Sequence, residues 1–354
     1  MNSKNLTSSS PISHLKPGDA FKLESYHYQL PEELIAQEPS STRDECRLLI
    51  IDRAKTSITH DKFKNLNKYL PLHSHLIVNN SKVIPARLLG QRSTGGAVEV
   101  FLLNQEQDTQ TFEVLIRPLK KIREGEVIEF GNDIHATLVN KEKRIMRFNK
   151  QNIIEHLKEV GHIPLPPYIK RQDTAQDHED YQTVYAKTPG SVASPTAGLH
   201  FTNEQINNLK ANGHRFSELT LHINYGTFKP VECDDIRHHP MHTEYYSIKP
   251  EIQQSILKDK NESNVLVAVG TTTCRVLESV AQSGTLNGST NIFIYPGYNF
   301  KMIDALITNF HLPYSTLLML VCAFGGYDLV MRAYQEAIKE HYRFYSYGDA
   351  MLIL

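Results

Sequence analysis

VEVFLL (98–103), FEVLI (112–116), EVIEF (126–130), HATLV (135–139) and RIMRF (144–148) recur about every dozen residues, separated by Gly95-Gly96, Gly125 and Gly131-Asn132. Apolar and polar residues alternate within most of them. Short alternating segments at even spacing, punctuated by glycine turns, predict a small antiparallel barrel or sandwich. Outward from this block the texture changes. On its N-terminal side LLIID (48–52) and LIV (76–78) read as buried strands. On its C-terminal side Ile153, Ile154, Leu157 and Val160 mark one face of a helix, which Gly161 and the stiff Pro164, Pro166, Pro167 segment close. The remainder alternates: LTLHI (219–223), VLVAV (265–269) running into a CRVLESVA helix (274–281), IFIY (292–295) as a strand, then helices over STLLMLVCAF (315–324) and RAYQEAIKEHY (332–342). Strand–helix alternation predicts an α/β sheet. The expected architecture is therefore a larger mixed α/β sheet domain (21–80 and 151–354) carrying an inserted small β-barrel domain (81–150), after a disordered polar tail (1–20).

At 354 residues the chain exceeds the usual span of one core, so two units are expected. It has 38 Lys plus Arg against 39 Asp plus Glu, net −1, which excludes a uniformly basic nucleic-acid binder. Divided by unit the balance differs: residues 81–150 hold 12 basic and 9 acidic residues, the rest 26 and 30. Arg117, Lys120, Lys121 and Arg123 fall together without an acid between them, and with Arg87, Lys170 and Arg171 they are the candidates for a phosphate-tracking surface. Four scattered cysteines suggest neither a disulfide framework nor a paired zinc site. The longest apolar run, Leu317 to Phe324, is too short to span a bilayer, and with no apolar leader at the start a cytoplasmic protein is expected.

Several segments carry polar chemistry. In SPTAGLHF (194–201) the loop Thr196-Ala197-Gly198 leads to His200 and into a helix start where Thr202 and Gln205 form a capping-box pattern, a place for a carboxylate or phosphate. His222 leaves the apolar face of its strand and meets the turn Gly226-Thr227-Phe228, where a ligand can approach backbone. His238, His239, His242 and Glu244 are the densest titratable cluster. Pro240 interrupts any helix there and no HExxH spacing or cysteine pair accompanies it, so no metal is expected and acid–base use is preferred. Strand-to-helix VAVGTTTCR places Thr271, Thr272 and Arg275 at a second anion cradle, without the spacing of a P-loop or dinucleotide fingerprint. Asn309, Phe310 and His311 fill a polar loop before a buried helix, and RFYSYGDAM (343–351) ends the chain in similar style.

The order and wording of these motifs say more than any one of them. YQLPEELIAQEP (28–39), VNNSKVIPARLLG (78–90), GHIPLPPYIKR (161–171), YQTVYAKTPGSVASPTAGLHFT (181–202), TLHINYGTFKPV (220–231), MHTEYY (241–246), VAVGTTTCRVLES (267–279), IFIYPGYNFKMIDALITNFHLPYSTLLMLV (292–321) and YRFYSYGDAM (342–351) resemble the S-adenosylmethionine:tRNA ribosyltransferase-isomerase family of queuosine biosynthesis. The resemblance begins near Tyr26 and runs to the last residue. It implies an enzyme that joins the ribosyl part of S-adenosylmethionine to the aminomethyl-deazaguanine base at the tRNA wobble position. Epoxyqueuosine-tRNA forms, and adenine and methionine leave. It implies S-adenosylmethionine as co-substrate with no prosthetic group, tRNA as partner, no membrane, and a monomer or weak homo-oligomer. It also agrees with an α/β domain bearing an inserted barrel. Acid–base work in such a reaction points to His200, His222, His242, Glu244, His311 and Asp349, all within family-like motifs. The Pro195 to Phe201 loop, which includes Thr196, Ala197 and Gly198, is expected with its helix N-terminus to hold the methionine carboxylate, and Thr271, Thr272 and Arg275 compete for it or for a tRNA phosphate. Phe228, Phe310 or Tyr347 is expected to stack on adenine or on the target base.

Overall fold

The computed structural model describes residues 18–354 apart from 107 and 225–230. Its frame is a nine-stranded mixed sheet in the order Asn287–Thr290, Glu244–Ser247, Arg215–Leu221, His75–Asn79, Leu266–Val269, Ala305–Asn309, Ala350–Ile353, Arg47–Asp52, Ser57–Lys62. The four strands from Arg215–Leu221 to Ala305–Asn309 run parallel. Ala350–Ile353 then turns back antiparallel to Ala305–Asn309. The central strands are apolar on both faces, as a covered parallel sheet requires. Ile77, Leu219, Leu266, Ala268 and Leu306 face a core shared with helices Thr271–Ser283, Thr316–Gly325 and Tyr327–Lys339. Leu76, Val78, Val267, Val269 and Ile307 face the other way, onto Phe201 and helix Asn203–Ala211. No single helix among the described residues is long and apolar enough to cross a membrane.

Strands Arg87–Arg92, Ala97–Gln105, Thr111–Arg117, Ile145–Phe148, Ile134–Asn140 and Val127–Gly131 close into a six-stranded barrel, the last pairing with the first through Gln91–Glu129 and Arg92–Ile128. The alternation seen in the sequence is what fills it: Val98, Val100, Leu102, Phe112, Val114, Ile116, Ile128 and Phe130 point inward while their neighbours face out. Helix Ile153–Val160 adds Ile153 and Leu157 to this same core, and Gly161–His162 pairs with Leu88 and Arg87. The unit thus runs on to His162, past the expected end at 150. Ser81–Val83 instead pairs with Thr188–Ser191, outside the barrel.

Two local expectations are corrected. IFIY (292–295) is not a strand; the edge strand is the preceding Asn287–Thr290, which pairs with Glu244–Ser247, while Ile294 is buried in the core as irregular chain. Apolar content alone did not distinguish the two. Of the expected tail, residues 1–17 lie outside the described residues, and Asp19–Phe21 forms a 3-10 turn whose Phe21 ring packs edge-on against Tyr295.

Asp349, expected to be catalytic, fixes the fold. Its Oδ1 accepts the N–H of Arg47 at 2.8 Å and its Oδ2 that of Arg343 at 2.7 Å, so one buried carboxylate ties the loop 343–349 to the start of strand Arg47–Asp52. Gly348 closes the turn because a Cβ there would lie 2.4 Å from the Arg343 carbonyl oxygen. With both oxygens committed, Asp349→Asn turns an NH2 group toward one of these N–H donors. A loss of about 2 kcal/mol in stability is expected, measured by urea denaturation at pH 7; an unchanged midpoint would show that the carboxylate is dispensable to the fold.

Candidate functional site

Ligands of open parallel sheets bind beyond the carboxyl ends of the strands, where connections diverge. Here that edge carries a cavity of about 200 Å³. The turn after Leu266–Val269 supplies Gly270, Thr271 and Thr272, and the end of Ala305–Asn309 supplies Thr308, Asn309, Phe310 and His311. Ser194 to Ala197 close one side and Tyr168, Tyr345 and Ser346 another. Among the described residues no Asp, Glu, Lys or Arg lines it. Its walls are hydroxyls, one amide, one imidazole and apolar surface.

His311 is the one expected acid–base residue that lines this cavity. Thr308 Oγ1 bonds its Nε2 at 2.9 Å, its backbone N–H donates to Tyr334 Oη at 3.0 Å, and its carbonyl accepts the Tyr28 hydroxyl. Burial pushes its pKa down to about 3, so the ring is uncharged at neutral pH. His200 sits behind the wall with both nitrogens engaged: Nδ1 lies 3.2 Å from Cys46 Sγ and Nε2 2.9 Å from Asn309 Nδ2. Burial, helped by Arg43 and Arg343, likewise brings it to about 3. His222 is half-buried, its ring against Gly190, where a Cβ would come within 2.9 Å of the imidazole; burial lowers its pKa.

The other described candidates have different surroundings. Glu244 forms a buried ion pair with Arg275 and accepts the Asn224 N–H at 3.2 Å, so neither Glu244 nor Arg275 is among the cavity-lining residues. His242 is exposed at the surface. Phe310 contributes to the wall, but its ring is wholly buried among Tyr334, Tyr342 and Phe344. Tyr347 points into the core, donating to Asp177 Oδ1 at 2.9 Å beside Tyr181. Gly226, Thr227 and Phe228 lie outside the described residues. No group of three or more His, Cys, Asp or Glu side chains that could hold a metal occurs among the described residues. His75 stands 2.6 Å from Asp259 and 2.7 Å from Ser217 Oγ, the distances of a nucleophilic relay, but at the opposite edge of the sheet and away from the cavity.

Sequence reasoning missed Tyr168, Ser194, Tyr345 and Ser346. Tyr168 and Tyr345 stack at 4.3 Å, and Tyr345 holds a left-handed backbone (φ 74°), uncommon for a non-glycine residue and frequent at functional sites. Tyr345 Oη and Ser194 Oγ are buried without a hydrogen-bond partner among the described residues. The motif RFYSYGDAM contained Tyr345, but nothing local separates it from Tyr347 two residues on.

On the barrel, Lys120, Lys121 and Arg123 are exposed, and Arg117 is 70% exposed with only a 3.8 Å contact to Glu99. Arg87 is bound to Glu99 at 2.6 Å, and Arg171 makes a two-pronged pair with Asp177, both at 2.7 Å. Lys170 pairs with Glu32 at the surface. Of the seven candidates, Lys120, Lys121 and Arg123, on the link from strand Thr111–Arg117 to strand Val127–Gly131, make no ion pair among the described residues.

A family profile described as "Queuosine biosynthesis protein" matches residues 23–353. The S-adenosylmethionine:tRNA ribosyltransferase-isomerase of Carboxydothermus hydrogenoformans is 50% identical over 343 residues, 94% of this chain and all of that protein. The protein of the same name from a Sulfurihydrogenibium species is 48% identical, with 94% of this chain and all of that protein covered. A crystal structure of S-adenosylmethionine tRNA ribosyltransferase from Thermotoga maritima shares the fold with a TM-score of 0.54 and 36% identity, covering 93% of this chain and all of that one.

Because His200 and His311 are uncharged when buried but titrate near 6.5 when exposed, the unfolded chain takes up the extra protons as pH falls. Their stabilising effect is complete above about pH 6.5 and is lost progressively toward about pH 3. Between pH 7.5 and pH 5 each is expected to cost about 2 kcal/mol. In denaturant titrations at the two pH values His200→Gln should lose less stability than the parent chain; equal losses would show that His200 does not remain neutral on folding.

Proposed function

The chain belongs to the queuosine biosynthesis protein family and is an S-adenosylmethionine:tRNA ribosyltransferase-isomerase; from that premise we propose that it moves the ribosyl group of S-adenosylmethionine onto the aminomethyl-deazaguanine base at the tRNA wobble position, in the cytoplasm. The base's neutral amine bonds to the ribosyl unit and gives up one proton, and the carbon beside the sulfonium gives up another; one is taken up by the departing adenine and one by solvent, the C–S bond breaks to release methionine, and the ring rearranges to the epoxide-bearing cyclopentane of epoxyqueuosine. The observation that carries this reading is the uncharged cavity at the carboxyl edge of the parallel strands, with one neutral histidine on its wall.

Each feature of that cavity has a use in the reaction. The sulfonium is already a good leaving group, so the protein's main task is to hold one ribosyl carbon against one amine, and orientation supplies up to roughly 7–11 kcal/mol in favourable cases. His311, neutral and held by Thr308, is placed to hydrogen-bond the co-substrate within the cavity. The start of helix Thr271–Ser283 lies on the cavity wall, and its free N–H groups suit the methionine carboxylate. Arg275 leaves this role to the backbone because Glu244 holds it. Lys120, Lys121 and Arg123, on the link between barrel strands Thr111–Arg117 and Val127–Gly131, are the surface for tRNA phosphates.

Incubating the protein with S-adenosylmethionine and tRNA bearing the aminomethyl-deazaguanine base should release adenine and add a hydroxylated cyclopentane unit to the base, seen by mass spectrometry. A methyl gain instead would make the protein a methyltransferase. His311→Ala should lower turnover about a hundredfold while leaving tRNA affinity nearly intact; unchanged turnover removes His311 from the mechanism. Replacing Lys120, Lys121 and Arg123 together by Ala should weaken tRNA binding and reduce the slope of log K against log salt by about 2. Binding and slope identical to the parent chain would mean that this link faces only solvent.

A further inference from the structure

A chain of hydrogen bonds runs from the cavity wall into the core: Thr196 Oγ1 to Asn309 Oδ1 at 2.9 Å, Asn309 Nδ2 to His200 Nε2 at 2.9 Å, and His200 Nδ1 to Cys46 Sγ at 3.2 Å. Two orientations of such a chain are self-consistent. In one, Thr196 gives its hydrogen to the Asn309 carbonyl, Asn309 gives one of its own to Nε2, and Nδ1–H points at the cysteine sulfur. In the other the amide is turned over and every donor reverses.

The backbone decides between them. Asn309 Nδ2 also faces the Asp349 carbonyl oxygen at 3.5 Å, and a carbonyl can only accept. Turning the amide over would set two oxygens against each other there, with Asn309 and Asp349 both buried. The first orientation therefore holds. Burial also keeps the Cys46 thiol protonated and His200 neutral, so neither end of the chain reverses it by changing charge.

The consequence appears at the cavity. Thr196 has one hydroxyl hydrogen, and Asn309 takes it, so toward the cavity Thr196 presents lone pairs only. We propose that Thr196 is a specificity-determining residue that accepts a hydrogen bond from a donor group of S-adenosylmethionine, with Asn309, His200 and Cys46 as the positioning residues that keep it an acceptor. This rests on the cavity being the co-substrate site. It assigns a donor to the Thr196 loop, where the sequence suggested a carboxylate. The donor chemistry is shared by the methionine α-ammonium, the ribose hydroxyls and the adenine 6-amino group.

Binding of S-adenosylmethionine is measured by calorimetry for the parent chain, Thr196→Val and Thr196→Ser, together with analogues lacking the α-amino group, a ribose hydroxyl or the 6-amino group. Thr196→Val should weaken binding about tenfold and Thr196→Ser should stay near the parent value. The analogue that weakens the parent chain but weakens Thr196→Val no further identifies the donor. Equal binding by the parent chain and Thr196→Val, or equal analogue losses in both, overturns the proposal. Should the parent chain itself not bind S-adenosylmethionine, the cavity reading falls too. The direction of the chain is tested independently by 15N NMR of labelled histidine, with His200→Gln to assign the signal. His200 should be protonated at Nδ1 from pH 7.5 to pH 5 and switch to Nε2–H in Asn309→Asp. An Nε2–H ring in the parent chain would overturn the assigned direction, and with it the role of Thr196.

Discussion

The carboxylate of Asp349 is the interaction on which the site depends. The last strand, Ala350–Ile353, runs against Ala305–Asn309 and beside Arg47–Asp52, so the chain must enter it from the edge where the parallel strands end. Asp349 fixes that entry by accepting one N–H from each side, and the loop before it, with Tyr345 and Ser346, is thereby laid across from Asn309 and His311. Burial raises the carboxyl's pKa overall, although the two N–H bonds and the nearby Arg343 and Arg47 oppose that shift. The group tolerates burial because its charge is answered by backbone donors and two guanidinium groups.

Much of the fold was legible because it rests on local pattern. Period-two alternation marked the barrel, and Thr202 caps helix Asn203–Ala211 by accepting the Gln205 N–H at 3.1 Å, as its spacing with Gln205 foretold. The site was less legible because its decisive contacts are distant in sequence. Glu244 and Arg275 are both plausible ligand groups until the fold pairs them across 31 residues. Asp349 looks catalytic until its partner Arg47 arrives from 302 residues away. Tyr345 and Tyr347 share one motif and one chemistry, and only the turn closed by Gly348 sends the first to the cavity and the second to Asp177.

Charge shows the same division between what composition announces and what packing decides. Near-neutrality overall conceals a basic barrel, but within the basic set the ion pairs of Arg87 and Arg171 hold the structure together. What remains of those seven candidates for a polyanion lies on the link between strands Thr111–Arg117 and Val127–Gly131, with Lys143, Arg144 and Arg147 also exposed on the barrel. The cavity is the converse: on the function proposed above it takes a cation-bearing zwitterion, yet it has no formal charge among its described walls. A fixed carboxylate there would hold the sulfonium tightly in the ground state and be of less use once methionine has left, whereas hydroxyls and a helix start orient the ligand without that bias.

The buried histidines show why neutrality is a structural requirement as well as a chemical one. A protonated imidazole donates from both nitrogens. At His200 the Nε2–H would meet the Asn309 amide nitrogen, and relieving that clash by turning the amide over would place Oδ1 against the Asp349 carbonyl oxygen. The displaced amide would then point its N–H groups at Thr196 and release the threonine's hydrogen toward the cavity. Burial that lowers the His200 pKa therefore does more than desolvate one ring. It holds the amide in place, and through the amide it sets which way the hydroxyl at the cavity wall points.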